Sequence, residues 1–214
     1  KLLSLDTSEA YVKIVSYGKS GTGKTTLGVS APKPFILLSE RQGFRSIRRA
    51  ALDLGVPIPP TIYLETVKDL RGCLLALQAS GPEPIAEALR EVLGRNDPEV
   101  EKQIKALPYL RPQTVVCDSI TDFFVLASDR INEELGNPKG DDGLEVRSNR
   151  YWDVLRQRSE RLLRMLRDLP YHALLLCLLD DRETGEGSEK SRTVGPDTPM
   201  RKIPSTLVAA SNAC

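Results

Sequence analysis

The chain has 214 residues, 40% of them hydrophobic and 28% charged, an ordinary globular composition that excludes wholesale disorder and, at about 150 residues per domain, favours one sizeable domain over two. Lys and Arg total 30 against 29 Asp and Glu, a net charge of +1, so no global basic field points to nucleic acid or membrane and such a partner would need a local patch. Cysteines at 73, 117, 177 and 214 lack both Cys-x-x-Cys spacing and the density of a disulfide scaffold, the single His172 excludes a histidine-rich metal centre, and no apolar stretch approaches the roughly 20 residues of a membrane span.

The N-terminus, which begins at Lys1, shows no signal-like apolar core, and the expectation is a cytoplasmic chain trimmed at both ends. Short β-rich runs alternate with longer helical stretches, which predicts an α/β domain with a mostly parallel sheet flanked by helices. The first strand is expected over Tyr11 to Ser16. It runs into Gly18-Lys19-Ser20-Gly21-Thr22-Gly23-Lys24-Thr25, a full G-x-x-x-x-G-K-T followed by helix-compatible sequence from Thr26. Three glycines let the backbone wrap so that successive N–H groups, from Gly18 to Thr26, face phosphate oxygens. Lys24 then bridges the β- and γ-phosphates of ATP and the Thr25 hydroxyl holds Mg²⁺. The competing reading is a glycine-rich turn that matches by accident.

A second strand, Phe35 to Ser39, ends at Glu40, where ligand sites of parallel sheets lie. A third is expected over Thr61 to Leu64. From Val67 to Arg111 the periodicity is helical, in Leu70, Leu74, Leu77 and then Ile85, Leu89, Val92, broken at Gly81-Pro82 and Asp97-Pro98. This predicts a helical insertion over 67–111 within a single domain spanning 1–214. The run Thr114 to Cys117 reads as a buried strand ending at Asp118, the second acidic residue a P-loop needs for its metal. An Asp here also suits a cap for the helix expected from Ile120 to Leu135, and one residue can serve both ends.

Hydrolysis further needs a group to orient the attacking water, and the residue after Asp118 is Ser119. The acid must come from elsewhere: Glu40 is the first candidate and Asp122 the reserve, with a solvated loop carboxylate beside Arg41 as the competing reading of Glu40. Beyond a Gly- and Asp-rich loop (Gly136 to Gly143), a helix ending before Pro170 sets Trp152, Leu155, Leu162, Leu166 and Leu169 on one face, with Ser159 filling the gap. Its arginines 156, 158, 161, 164 and 167 read either as a solvated face or as a phosphate or subunit contact. The last strand is expected over Ala173 to Leu179, with Cys117 and Cys177 as core thiols.

These motifs together resemble the RecA-like ATPases. Pro32-Lys33-Pro34-Phe35 running into Glu40-Arg41-Gln42-Gly43, then Cys117-Asp118-Ser119-Ile120-Thr121, is similar to the phage-type nucleotide-binding ATPases of that class, which include single-strand annealing and recombination ATPases. The resemblance covers Tyr11 to about Leu179. It implies a RecA-like P-loop NTPase core and ATP hydrolysis, with Lys24 and Glu40 catalytic and Thr25 and Asp118 on the metal. It implies single-stranded DNA as a partner and the host cell cytoplasm as the location. It also implies a ring or filament in which a neighbouring subunit completes the γ-phosphate shell, with Arg130, Arg182, Arg192 and Arg201 available for that task. The chain departs from the family where a polar sensor Gln often ends the fifth strand: here the run is Leu179-Asp180-Asp181. The segment Arg182 to Pro199 corresponds in order to a DNA-contacting loop, but Glu183, Glu186 and Glu189 offset its basic residues, and a β-hairpin turning at Thr184-Gly185-Glu186-Gly187 is the other reading. A small-molecule kinase shares the P-loop and size and stands as the alternative, together with an adaptor that binds ATP without turnover. The guanine-reading Asn-Lys-x-Asp of a GTPase switch is absent.

Overall fold

Burial on both faces of the sheet explains why the strands read as continuous apolar runs. The computed structural model describes residues 11–79, 85–87, 90–91, 98, 101, 112–136, 147–184 and 191–196, with 180–184 and 191–196 described by their backbone. Strands β1 (Lys13–Gly18), β2 (Pro34–Leu38), β3 (Thr61–Tyr63), β4 (Thr114–Asp118) and β5 (His172–Thr184) form a parallel sheet in the order β1-β5-β4-β2-β3. Strand β6 (Ser191–Pro196) pairs antiparallel with the far half of β5, from Leu179↔Pro196 to Thr184↔Ser191. The hairpin reading of this segment therefore holds; residues 185–187 of the expected turn lie outside the described residues.

Because side chains alternate across a strand, each central strand feeds two cores. Phe35, Leu37, Val115, Cys117, Leu175 and Cys177 point to one side. There they meet the helices α3 (Val67–Gln78), α4 (Ile120–Leu135) and α5 (Asn149–Arg167), through residues such as Leu70, Leu74, Phe123, Phe124, Leu163 and Leu166. Ile36, Leu38, Val116, Leu174 and Leu176 point to the other, against α1 (Lys24–Val29) and α2 (Gly43–Leu54) through Val29, Ile47, Ala50 and Ala51. Cys73, Cys117 and Cys177 are buried and in no disulfide, and burial, chiefly, pushes the Cys73 thiol up to about 12.

The strand boundaries follow pairing. β1 begins and ends two residues later than the sequence suggests, at the register Lys13↔Ala173 to Gly18↔Leu178. β5 outlasts its apolar run because β6 continues to satisfy its backbone. The helix starts follow side-chain caps: Thr66 and Asp69 form a reciprocal capping box on α3, and the Ser119 and Ser148 hydroxyls accept from the N3 amides of α4 and α5. Trp152 differs from expectation. Tyr151 takes the buried place on α5, its hydroxyl 2.5 Å from Ser128 Oγ of α4, and Trp152 lies half-buried edge-on to it. Within 67–111, α3 is formed and Ile85 and Ala86 join the core. Leu89, Val92, Gly81-Pro82 and Asp97 lie outside the described residues, as do 137–143, Glu186, Glu189, Arg201 and Cys214.

Candidate functional site

At the C-terminal ends of the parallel strands, the loop that follows β1 joins Ser39 after β2 and Asp118 at the end of β4 in lining a cleft of about 690 Å³. The loop after β1 is shaped by its own contacts. Thr22 Oγ1 donates to the Lys19 carbonyl at 2.8 Å, and a side chain at Gly18 would have its Cβ 2.7 Å from that hydroxyl oxygen. Gly21 and Gly23 take φ of 77° and 88°, the left-handed region, and nothing lies within 4 Å of where a Cβ would sit on either. The inside of the loop is thus open and presents backbone. The Lys24 ammonium folds back over it, donating to the carbonyls of Gly18 at 2.7 Å and Lys19 at 2.8 Å.

Across from the loop, Thr25 Oγ1 donates to Asp118 Oδ2 at 2.9 Å. Strand β5 lies between β1 and β4, so this bond spans the sheet edge and sets the first residues of α1 against the end of β4. Burial raises the Asp118 carboxyl above the ordinary aspartate range, Asp122 adds to the rise, and the Thr25 hydroxyl and the Lys24 charge oppose it. A polar network secures the strand end. The amide and hydroxyl of Ser39 donate to the Asp118 carbonyl at 2.9 and 3.2 Å, the Ser39 hydroxyl also reaches Asp122 Oδ2 at 3.0 Å, and the Ser119 amide donates to Ser39 Oγ at 3.0 Å. The Ser119 hydroxyl hydrogen-bonds Asp122 as well, and the Asp118–Ser119 peptide is cis. Capping of α4 falls to Ser119, which leaves the Asp118 side chain to the cleft.

Glu40 lines the cleft from the end of β2, exposed, with no hydrogen bond or ion pair to its side chain among the described residues. Asp122 lines it too, half-buried and held by two serines. The structure therefore brings both water-orienting candidates to the same cleft as Lys24, Thr25 and Asp118. The first turns of α2 add Arg45, Ser46 and Arg49 to the lining. No reading of the sequence singled out Arg45; its place five residues past Glu40, on the helix that follows the strand, was the available signal.

The other basic residues lie apart from this cleft's lining. Arg156 pairs with Asp153 and Glu160, Arg158 with Glu134 at 2.6 Å, Arg164 with Glu160 at 3.4 Å and Arg167 with Asp168 at 2.7 Å. Arg130 is held by Glu133 and Glu134. Arg182 and Arg192 sit on β5 and β6, at the register positions Arg182↔Thr193 and Glu183↔Arg192. His172 opens β5 and accepts from the Val12 amide through Nδ1 at 3.0 Å, a backbone tie at the opposite end of the strand.

A family model described as an AAA domain matches residues 10–205, which takes in the loop, the cleft and both strands of the hairpin. The chain belongs to the AAA domain family. AAA domains are P-loop ATPase modules, so the open loop over Lys24 and Thr25 is the P-loop of a nucleotide-binding fold. No curated protein matches the chain.

Members of this family generally bind ATP with Mg²⁺, and the AAA cleft here can be tested for both. Its open backbone concavity and folded-back ammonium suit a polyphosphate. Its hydroxyl and carboxylate, 2.9 Å apart, are hard oxygen donors of the kind Mg²⁺ takes. Among the described residues no three His, Cys, Asp or Glu side chains gather as a metal cage. No helix among the described residues is long and apolar enough to cross a membrane.

Proposed function

We propose that this AAA domain is a Mg²⁺-dependent ATPase, a phosphoric anhydride hydrolase, with Lys24 and the P-loop amides of Gly18 to Thr26 on the phosphates, Thr25 and Asp118 on the cation, and Glu40 orienting water. The observation that carries this reading is the contact of Thr25 Oγ1 with Asp118 Oδ2, which joins the end of the P-loop to the carboxylate that ends β4 and lines the cleft. Mg²⁺, when bound, supplies positive charge to the phosphate oxygens. The chain does the rest. Its P-loop amides hold the phosphates by backbone donors, its Lys24 ammonium exchanges the loop carbonyls for phosphate oxygens, and Ser39 and Ser119 keep Asp118 and Asp122 in place. Glu40, exposed and uncommitted, is the carboxylate free to accept a hydrogen bond from water; Asp122 is the second in line.

The finer reading is a RecA-like ATPase that works on single-stranded DNA in phage recombination or replication, as a ring or filament of identical subunits in the host cytoplasm. The resemblance of the segments around Glu40 and Asp118 supports it. The arginines of α5 do not add to it, since carboxylates already hold four of them.

One experiment tests both levels. Phosphate release is measured with ATP and Mg²⁺, with and without single-stranded DNA, beside the particle mass. Release that needs Mg²⁺ is the expected outcome for the ATPase; DNA stimulation of an oligomer is the expected outcome for the finer reading. Phosphate transferred to an added small acceptor would put a small-molecule kinase in its place, and binding without turnover would leave an adaptor.

A further inference from the structure

The N-terminal part of α2 lines the same cleft as the P-loop, and it carries two arginines one turn apart, Arg45 and Arg49. Their surroundings differ. Arg49 is neutralised along its own helix by Asp53, 2.9 Å away. The Arg45 guanidinium, exposed into the cleft, has no hydrogen bond or ion pair among the described residues.

Its position along the cleft follows from the chain. Helix α2 starts straight after the end of β2, with the Gly43 amide donating to the Glu40 carbonyl at 2.9 Å, and β2 lies beside β4, which ends in Asp118. Arg45 is therefore on the Glu40 and Asp118 side of the P-loop, the side away from Gly18 and toward the metal-binding pair. A phosphate chain lying along the loop presents its last phosphate there. A guanidinium, always charged and carrying a planar fork of donors, is suited to a phosphate edge in a way a lone ammonium is not.

We propose that Arg45 binds the terminal phosphate of the nucleotide in cis, so that one subunit supplies both cations, Lys24 from the P-loop and Arg45 from α2. The assignment rests on the ATPase reading and extends it: it makes the site selective for a triphosphate over a diphosphate, and it removes the need for an arginine from a neighbouring subunit.

Titration calorimetry of the full chain with Mg²⁺ and either ADP or a non-hydrolysable ATP analogue tests it. Arg45→Ala is expected to weaken the triphosphate analogue about tenfold or more while ADP changes less than about twofold. Arg45→Lys should restore part of the loss, and Arg48→Ala, on the same helix and not among the cleft residues, should change neither. Equal affinities for wild type and Arg45→Ala would overturn the assignment and leave the ATPase reading standing. Equal weakening of both nucleotides would also overturn it, by moving Arg45 off the terminal phosphate. Wild-type protein that bound neither nucleotide would bring down the ATPase reading and this assignment with it.

Discussion

The α2 wall of the cleft and the outer face of α5 are both rich in arginine, yet they hold their charges differently. On α5 four of the five guanidinium groups are met by carboxylates on the same helix, at its end or on α4, and Arg158 pulls Glu134 below the ordinary carboxylate range, through their hydrogen bond first. In the cleft, Arg45 faces open space, Lys24 rests only on carbonyls, and Asp118 is buried with its carboxyl pushed up instead of down. Exposed ion pairs contribute about 0–1 kcal/mol and close the local charge account. A cleft that leaves Arg45, Lys24 and Glu40 without an opposite charge in contact suits the arrival of a polyanion and a cation, and four experiments break or sharpen that contrast.

The largest effect is expected from Lys24→Ala. Its ammonium is the one cation that the P-loop itself directs into the cleft, so turnover should fall by at least about 10²-fold, with ATP binding weakened in direct titration. Activity and affinity equal to wild type would remove the P-loop from the mechanism and make the cleft no different from α5.

Next comes the water-orienting carboxylate. Glu40→Gln should leave ATP affinity nearly intact and slow hydrolysis by about 10²-fold, because only a proton acceptor is lost. Asp122→Asn is the counter-test: its carboxylate is held by Ser39 and Ser119, so the variant should chiefly loosen the strand end. A slow Asp122→Asn beside an unimpaired Glu40→Gln would exchange the two roles.

A smaller effect, with a definite sign, is expected at Asp118. Asp118→Asn should raise the Mg²⁺ concentration needed for half-activity by about tenfold or more. In the nucleotide-free protein the same change should stabilise. The folded carboxyl titrates above its unfolded value, so the folded state is favoured while Asp118 is protonated and loses that advantage as pH rises through the raised pKa. The melting temperature of Asp118→Asn should therefore match wild type in acid and exceed it from above the ordinary aspartate range to neutrality. A variant less stable than wild type at neutral pH would show that the Thr25 and Lys24 contacts outweigh burial.

Much of this was legible in the sequence, for local reasons. Strands buried on both faces read as unbroken apolar runs, the P-loop is a contiguous spacing, and Asp118 announces itself as the acid that ends such a run. What escaped depends on packing between distant segments. Arg45 gains its meaning only because α2 and the P-loop line one cleft. The Ser39–Asp122 bond joins residues 83 positions apart, and Arg158 finds Glu134 at a separation of 24. Helical periodicity placed Arg158, Arg161 and Arg164 on one face, but it could not say that another helix would supply the counter-charge. Tyr151 displaced Trp152 for a similar reason: its partner, Ser128, belongs to α4.

The smallest effect is expected on α5, and it decides whether that face takes part in function. Replacing Arg158, Arg161 and Arg164 with alanine removes the pairs to Glu134 and Glu160, each exposed, and should leave ATP hydrolysis within about twofold of wild type. If single-stranded DNA binds through phosphates, the logarithm of its affinity falls with the logarithm of salt concentration by about 0.7 per contacted phosphate. Arg158 and Arg164, already paired with carboxylates, gain little by exchanging them for a phosphate, so the triple variant should flatten the slope by no more than about 0.7, the share of Arg161. A slope flattened by about 2 would instead put phosphates on all three arginines. That outcome would mean the α5 pairs open for DNA, and the contrast between a compensated face and an uncompensated cleft would fail at its α5 side while the nucleotide site stood.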